Sequence, residues 1–248
     1  MLDNNDIFAR NKLYWGVEAQ NKIKNTSVAV FGLGGVGGYT VEMLARSGVE
    51  KFIIVDFDTV SISNINRQII ALNSTIGQKK TDLFEKRLKD INFAIEVIKF
   101  DDFYTKDFTL PKVDYVVDAI DSMRSKVDLL TYCVTNKIPV ISSMGAGNRI
   151  NPEELYICDI ANIQEKKAPF ISNILYQLNK RGINSGIDVV LSHEKPFVQE
   201  KISEVEKIIT KNGEVVEFNK IIPSSTPFVA SCAGIFMASH VIRKICMV

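Results

Sequence analysis

The sequence predicts an α/β fold, in which a doubly wound and mostly parallel β-sheet has helices on both faces and an extension in its second half. Three observations lead to this prediction. Short, apolar and β-branched runs alternate with longer helical stretches between residues 27 and 150. A glycine-rich loop joins the first of these runs to the first helix. The connections are short, which favours right-handed crossovers between parallel strands.

The individual elements are predicted from the spacing of apolar residues. Short apolar runs predict strands, over residues 27–31, 51–56, 94–98, 113–118, 139–142, 155–157 and 189–191. Longer stretches predict helices, over residues 41–46, 77–91, 122–136 and 171–180, with a last helix that begins near Pro227. Gly48 is expected to end the first helix, and residues 193–219 are interpreted as a polar, charged stretch.

Charge and cysteine usage narrow the possible classes of protein. Thirty basic residues against 29 acidic residues give a net charge of +1, which excludes a strongly cationic nucleic-acid binder but allows a local basic patch. The four cysteines form no C-x-x-C pair, so a Cys₄ zinc ribbon is excluded and a reducing, cytoplasmic location is expected. We expect neither a targeting signal nor a membrane span, because the apolar stretch over residues 227–242 contains polar side chains and is short.

The glycine-rich loop predicts a nucleotide site. Gly32, Gly34 and Gly37 satisfy the pattern G-x-G-x-x-G between a predicted strand and a predicted helix, which is the context that the motif requires. Glycines allow the backbone to approach a phosphate, and the helix N-terminus offers free N–H groups. Asp56 ends the second strand, where a carboxylate accepts hydrogen bonds from ribose hydroxyls. The fingerprint is Rossmann-like, and its default ligand is NAD.

Three charged residues favour ATP over a dinucleotide. Arg67, Lys80 and Asp121 follow the predicted strands or open the next helix, so the carboxyl edge of a parallel sheet brings them together beside the glycine loop. A dinucleotide needs only its pyrophosphate held there. Two cations and a carboxylate suit a triphosphate with Mg²⁺, because the cations neutralise phosphate oxygens and the carboxylate holds the metal.

One domain is expected, because 248 residues are about one and a half times the usual domain size. Residues 1–26 are interpreted as an N-terminal segment and residues 27–150 as the nucleotide-binding core. Residues 151–248 then contain the sheet extension, a variable substrate-side region and the C-terminal helix. The composition, 46% apolar and 24% charged, is that of a globular protein with a sizeable core.

The motifs together resemble those of a known family. GLGGVGG, IIVDFD, SNINRQ, GQKK and DAIDS are similar to motifs of the E1-like adenylating enzymes, the ThiF/MoeB superfamily, and the resemblance extends from about residue 8 to residue 242. Within that superfamily, residues 63–80, 144–152 and 192–196 are most similar to the tRNA threonylcarbamoyladenosine dehydratases.

The resemblance implies a set of site residues. It assigns adenosine and ribose to the glycine loop and Asp56, and Mg²⁺ to Asp121. It assigns the phosphates to the amide and basic side chains of residues 66–68 and of Lys80. Arg10 would reach into the partner's site of a homodimer. The residues implied are Arg10, Gly32, Gly34, Gly35, Gly37, Asp56, Asn66, Arg67, Gln68, Lys80 and Asp121, of which Arg10, Arg67, Lys80 and Asp121 are the candidate catalytic residues. No zinc is expected, because thiolate zinc sites need the C-x-x-C pairs that this chain lacks.

The resemblance also implies a reaction. An ATP-dependent dehydratase would adenylate the carboxylate of the threonylcarbamoyl group on adenosine 37 of tRNA and close it to cyclic t6A, releasing AMP and pyrophosphate. A sulfur-transfer or redox protein could accompany it. An enzyme that activates a ubiquitin-like or sulfur-carrier protein is the alternative, followed by a nicotinamide-dependent oxidoreductase or a non-catalytic nucleotide sensor.

Two further groups of residues are candidates for function. Cys133 and Cys232 are thiols of the kind that some superfamily members use to take an acyl or persulfide group, although burial as small apolar residues is the better interpretation. A basic cluster in the second half is a hypothesis for the RNA-facing surface, and its members are Lys166, Lys167, Lys180 and Arg181.

Overall fold

A computed structural model of the chain describes residues 6–164, 168–197, 203–209, 215–221 and 223–246. Its larger sheet has seven strands, β1 (Ser27–Phe31), β2 (Lys51–Val55), β3 (Glu96–Phe100), β4 (Tyr115–Asp118), β5 (Val140–Ser143), β6 (Leu155–Asp159) and β7 (Asp188–Ser192). The strand order is β3-β2-β1-β4-β5-β7-β6. All neighbouring pairs are parallel except β6 and β7, which are antiparallel.

The described part of the chain contains six α-helices, α1 (Ala9–Asn25), α2 (Gly37–Ser47), α3 (Lys80–Ile91), α4 (Met123–Thr135), α5 (Pro169–Asn179) and α6 (Pro227–Cys246). The helices cover both faces of the sheet. Successive side chains of a strand point to opposite faces, so one strand contributes to a core on each side. In β1, Val28 and Val30 join a core built with α1, α2, α3 and α6. Ala29 and Phe31 join a second core, built with α4 and α5.

The predicted fold class is confirmed, since the mostly parallel sheet has helices on both faces and is extended by β6 and β7. Each predicted strand is present, and β1 spans the residues predicted for it. Local rules explain this agreement, because buried parallel strands are nearly continuous apolar runs. Gly48 ends α2 as expected, with a left-handed φ of 104° that a glycine adopts without strain.

Two stretches differ from the prediction. The N-terminal segment is a helix, α1, whose course is broken at Gly16 with φ 82°. Residues 193–219 are not a purely polar stretch, because they contain β8 (Ser203–Ile209) and the start of β9 (Val215–Ile221), which form an antiparallel pair. Charged residues interrupt the alternating pattern of both strands. The Asn212–Gly213 dipeptide between them is a hairpin signal that could have revealed them.

Helix α6 belongs to the core. It is the one helix among the described residues whose length and composition would allow a membrane span, and half of that window is buried within the protein. The apolar core helix of a globular protein meets the same criteria. Val229, Ala233, Met237 and Val241 of α6 are packed in the core cluster that also contains residues of α2.

Candidate functional site

A cavity of about 670 Å³ lies where β1, β2, β4 and β5 end. These strands are parallel, so their carboxyl ends share one edge of the sheet, and open α/β sheets bind ligands at this edge. The structure brings most of the predicted site residues to this cavity. Those that line it are Gly32, Gly34, Gly35, Asp56, Asn66, Arg67, Gln68, Lys80 and Asp121.

The glycines of the loop have different roles. Gly32 has φ 85°, and a Cβ there would lie 2.7 Å from the carbonyl oxygen of Ala119. A Cβ at Gly37 would lie 1.8 Å from the carbonyl oxygen of Gly32, so this residue closes the turn and does not line the cavity. A Cβ at Gly34 would meet only the Gln68 Nε2 atom, at 3.8 Å. The loop therefore leaves open space beside Gly34, at the N-terminus of α2, where a phosphate could be held.

Asp56 organises the glycine loop. Its Oδ2 atom accepts a hydrogen bond of 2.6 Å from the Leu33 N–H, and its Oδ1 atom accepts one of 2.8 Å from the Asp58 N–H. Burial raises the pKa of the Asp56 carboxyl, against the opposing effects of Lys80 and these two N–H groups. The carboxylate thus holds the glycine loop through the Leu33 N–H, and it keeps lone pairs that can accept from a ribose hydroxyl.

Lys80 places a buried positive charge in the wall of the cavity. It is the first residue of α3 and is 3% exposed. Its Nζ atom lies 2.8 Å from Oδ2 of Asp58 and 3.8 Å from Oδ1 of Asp56. The sequence analysis did not include Asp58 among the site residues. Without a ligand, this carboxylate is the nearest partner of the ammonium group, and a phosphate would compete for the same charge.

Arg67 and Asn66 form the opposite part of the wall. The Nη1 atom of Arg67 donates to the carbonyl of Ser63 and to Oδ1 of Asn66, both at 2.8 Å. The Nδ2 atom of Asn66 donates to the carbonyl of Ser225 at 2.9 Å, which joins this loop to the segment before α6. Burial lowers the pKa of the Arg67 guanidinium, which remains a cation because arginine titrates far above neutral pH.

Gln68 carries an unsatisfied polar atom into the site. The residue is 7% exposed, and its Oε1 atom has no hydrogen-bond partner among the residues that the structure describes. Its amide lies against Gly34 on the cavity wall. Buried polar groups are normally hydrogen-bonded, so this amide is suited to a polar ligand in the cavity.

Asp121 is exposed at the cavity, on the segment that follows β4. Beneath this segment is a buried polar cluster that the sequence analysis missed. Asp118 and Lys126, both 0% exposed, form an ion pair of 2.6 Å, and each contacts the hydroxyl of Ser142. The Oδ1 atom of Asp118 also accepts from the Ile120 N–H at 3.1 Å. The cluster therefore holds the backbone that carries Asp121. A lysine within an amphipathic helix gives no sequence signal of such burial.

An aromatic pair also lies at the cavity and was not predicted. The rings of Phe57 and Phe103 are stacked, with centroids 3.4 Å apart and an interplanar angle of 19°. Their side chains remain exposed, Phe57 by 45% and Phe103 by 40%. Large exposed apolar rings on a cavity wall are suited to contact a planar ligand group.

Arg10 does not line this cavity. It is exposed on α1, the helix that the sequence analysis did not predict. Its neighbours on the same segment are strongly exposed apolar residues, Leu13 by 71%, Tyr14 by 89% and Val17 by 61%.

The structure describes two of the four residues in the proposed basic cluster, since Lys166 and Lys167 lie outside the described residues. Lys180 is exposed, with its Nζ atom 4.5 Å from the centre of a tyrosine ring of α5. Arg181 is also exposed, and its guanidinium pairs with Asp128 at 2.8 Å and donates to groups of α4. The RNA-facing surface stays a hypothesis.

The two candidate thiols differ in burial. Cys133 is 0% exposed, and burial raises the pKa of its thiol to about 12, so it behaves as a small apolar residue. Cys232 is half-buried and packs against the core.

Comparison with known proteins identifies the family. A profile of the ThiF family matches residues 8–247. The chain belongs to the ThiF family. It is 41% identical over 242 residues to the tRNA threonylcarbamoyladenosine dehydratase of Bacillus subtilis. These residues are 96% of this chain and 94% of that relative. This ThiF-family chain also matches the crystal structure of the Escherichia coli enzyme, TcdA, in complex with ATP, with TM-score 0.82 and 28% identity over 99% of this chain and 96% of that one.

A more distant relative is named as an adenylyltransferase and sulfurtransferase. The adenylyltransferase and sulfurtransferase MOCS3 of Aedes aegypti is 33% identical over 148 residues, which are 57% of this chain and 34% of that protein. The resemblance to the ThiF/MoeB superfamily, and within it to the dehydratases, is confirmed.

Proposed function

We propose that this chain is an ATP-dependent tRNA threonylcarbamoyladenosine dehydratase. The observation that carries the proposal is the cavity at the carboxyl edge of the sheet. The glycine loop, Lys80, Arg67 and the buried amide of Gln68, whose Oε1 atom is unsatisfied among the described residues, come together there. Similarity to named dehydratases over nearly the whole chain supports the substrate, a tRNA bearing the threonylcarbamoyl group on adenosine 37. We also propose that the whole chain is one adenylating domain and that it acts in the cytoplasm.

The residues of the cavity fit ATP. Asp56 lies at the end of β2, where it would bind the ribose, and the open space at Gly34 would admit the phosphates. Lys80 and Arg67 would neutralise phosphate oxygens, and the Gln68 amide would gain a partner. NAD has one pyrophosphate and needs fewer cations, so this set of residues favours the triphosphate.

The donor set also fits Mg²⁺. Proteins bind this ion through one or two carboxylates together with substrate phosphates, and Asp121 supplies a carboxylate beside the phosphate loop. A bound Mg²⁺ would neutralise charge that accumulates on the phosphate oxygens. The Asp118–Lys126 pair would keep the Asp121 segment in place while the substrates bind and leave.

The chemistry proposed is activation of a carboxylate followed by ring closure. A carboxylate oxygen of the threonylcarbamoyl group attacks the α-phosphorus of ATP, and the bond to the bridging oxygen breaks as pyrophosphate leaves. An internal nucleophile of the same group then attacks the acyl carbon and releases its proton to solvent, and AMP leaves with the former carboxylate oxygen. The product is cyclic t6A, one water lighter than the substrate. The protein contributes by positioning the reactants and by placing Lys80 and Arg67 against the phosphate charge.

A homodimer is part of the proposal, with Arg10 acting on the partner's nucleotide. It is supported by the exposure of Arg10 on α1 among the apolar side chains of Leu13, Tyr14 and Val17. An exposed apolar patch of this kind is typical of an interaction surface. A sulfur-transfer or redox protein could assist the reaction as a further partner.

Activation of a ubiquitin-like or sulfur-carrier protein is the second candidate. Its support is the similarity to MOCS3, which is confined to 57% of this chain. The same nucleotide site would serve both reactions. A transfer to Cys133 is disfavoured because its thiol is buried and its pKa is raised.

Ligand-induced thermal stabilisation tests the nucleotide. A ligand that binds only the native state stabilises it by RT ln(1 + [L]/Kd), so Mg-ATP should raise the melting temperature and NAD should barely change it. An equal shift with NAD would contradict the adenylation proposal. The substrate is tested by incubating the enzyme and Mg-ATP with t6A-containing tRNA, for which we expect cyclic t6A, AMP and pyrophosphate in equal amounts. A deletion strain should lack cyclic t6A in its tRNA.

A further inference from the structure

We propose that Arg149 is a positioning residue for the threonylcarbamoyl group of the tRNA. It holds the loop that follows β5, which lines the part of the cavity beside the proposed ATP site. The proposal rests on the function proposed above. It concerns the side of the cavity that faces the threonylcarbamoyl carboxylate. No residue of this loop was among the site residues predicted from the sequence.

The strand order separates the two substrates along the edge of the sheet. Asp56 follows β2, the glycine loop follows β1, and Asp121 follows β4. Adenosine, phosphates and metal would therefore occupy three neighbouring strand ends. The next strand is β5, about 14 Å from β2 across three strand spacings of about 4.8 Å. Its loop contributes Ala146 and Gly147 to the cavity wall, so the carboxylate that attacks the α-phosphorus would arrive on this side.

The guanidinium of Arg149 holds this loop. Arg149 is 8% exposed, and its Nη1 atom donates to the carbonyl of Gly145 at 2.9 Å and to that of Gly147 at 3.3 Å. Its Nε atom donates to the carbonyl of Glu194 at 3.1 Å. One buried side chain thus satisfies three carbonyl groups, two of them in the loop beside the cavity.

Neighbouring contacts join this loop to two other segments. Asn148 has φ 59°, and its Oδ1 atom accepts from the N–H and the hydroxyl of Ser224 at 2.7 and 2.9 Å. The carboxylate of Glu194 accepts from the N–H groups of Ile150 and Asn151 at 2.9 to 3.1 Å. Arg149 lies between these contacts, so it fixes the loop in relation to the segments on either side.

The loop also contains backbone donors without a partner in the described part of the chain. Within the described residues, the N–H groups of Ala146 and Gly147 make no intramolecular hydrogen bond. Both residues line the cavity, and a carboxylate is an acceptor that such N–H groups would bind. If Arg149 were removed, three partly buried carbonyls would lose their donor and the loop would relax. The acceptor would then be misplaced, whereas the nucleotide residues that follow β1 and β2 would be unaffected.

Steady-state kinetics of Arg149→Met test this role. We expect KM for t6A-containing tRNA to rise about 10- to 100-fold, because a hydrogen bond to a charged acceptor contributes about this much to binding. KM for ATP, and the Kd for ATP measured by calorimetry without tRNA, should stay within about twofold, since a purely local change leaves the nucleotide contacts intact. Arg149→Lys should recover part of the loss, as its ammonium group still donates to carbonyls.

The matched control replaces a cation that donates to a backbone carbonyl elsewhere in the protein, and Arg181 is not suitable for it. This arginine belongs to the hypothesised RNA-facing cluster, so Lys89→Met is the control. Lys89 also donates to a backbone carbonyl, that of Ile95, and it lies outside the cavity, so both KM values should remain those of the wild type. Gly147→Ala tests the same loop independently, since its Cβ would lie 2.8 Å from Pro223 and displace the loop. It should raise KM for tRNA in the same selective way.

The outcomes are distinct. A selective rise in KM for tRNA in Arg149→Met and Gly147→Ala supports the inference. Unchanged kinetics, or equal changes in both KM values, overturn it. If Arg149→Met does not fold, Arg149→Lys and Gly147→Ala decide in the same way. A wild-type enzyme that binds ATP but never converts t6A-containing tRNA refutes the proposed function itself, and this inference with it.

Discussion

Replacement of Lys126 by methionine tests the buried ion pair beneath the Asp121 segment. The substitution keeps an unbranched apolar chain but removes the ammonium group that contacts Asp118 at 2.6 Å and Ser142 at 3.1 Å. Asp118 would then be a charge with 0% exposure and no cation to balance it. Breaking a fully buried pair in this way costs about 3–5 kcal/mol. For a chain of this size, each kcal/mol lowers the melting temperature by about 2–4 °C, so we expect a loss of about 6–20 °C.

Thermal unfolding followed by circular dichroism measures this loss. The double variant Asp118→Asn/Lys126→Met should be more stable than Lys126→Met alone, because it removes the uncompensated charge and the asparagine can still accept from the Ile120 N–H. Lys99→Met is the control, since its contact to Asp82 is equally short, at 2.5 Å, but lies at the surface. Its melting temperature should hardly change. A loss of less than about 3 °C for Lys126→Met, or a double variant no more stable than the single one, would refute the reasoning.

Three further predictions concern the phosphates, the dimer and pH. Lys80→Ala should lower kcat on t6A-containing tRNA by about 10²–10³-fold, because a preorganised charge is lost; near-normal turnover would show that the cavity is misassigned. Arg10→Ala and Asp121→Ala should each be nearly inactive, but an equal mixture should regain about 25% of wild-type activity if Arg10 acts in trans, since half the dimers are hybrids with one intact site. An inactive mixture with confirmed subunit exchange would reject that role. The hydrogen bond from His240 is the main cause of the lowered pKa of Asp188. The ionised carboxylate therefore stabilises the native state at pH values above 3.8, its pKa in the unfolded chain, and this stabilisation is lost as the pH falls through the lower pKa of the native state. Asp188→Asn should therefore be less stable than the wild type at pH 7, and a difference that persists unchanged in acid would contradict this account.

The sequence alone determined the features that depend on neighbouring residues. β1 and the glycine loop were predicted because an apolar run and the conformational freedom of Gly32 are local properties. The parallel order of the first strands followed, since short crossovers leave few topologies. That order was enough to predict that Arg67, Lys80 and Asp121 would approach one cavity, and they do.

Only the tertiary structure decided which side chains meet and which are buried. Asn66 and Ser225 are 159 residues apart and are hydrogen-bonded in the wall of the cavity, and no periodicity connects them. Basic side chains that look alike in the sequence have different roles in the fold, because a charge that is removed from water needs a partner within the protein. Lys126 thus became part of the support beneath the site, and Arg181 became a link between helices. Sequence patterns record the local conformation, but the strand order and the packing of the helices fix the distances between groups far apart in the chain.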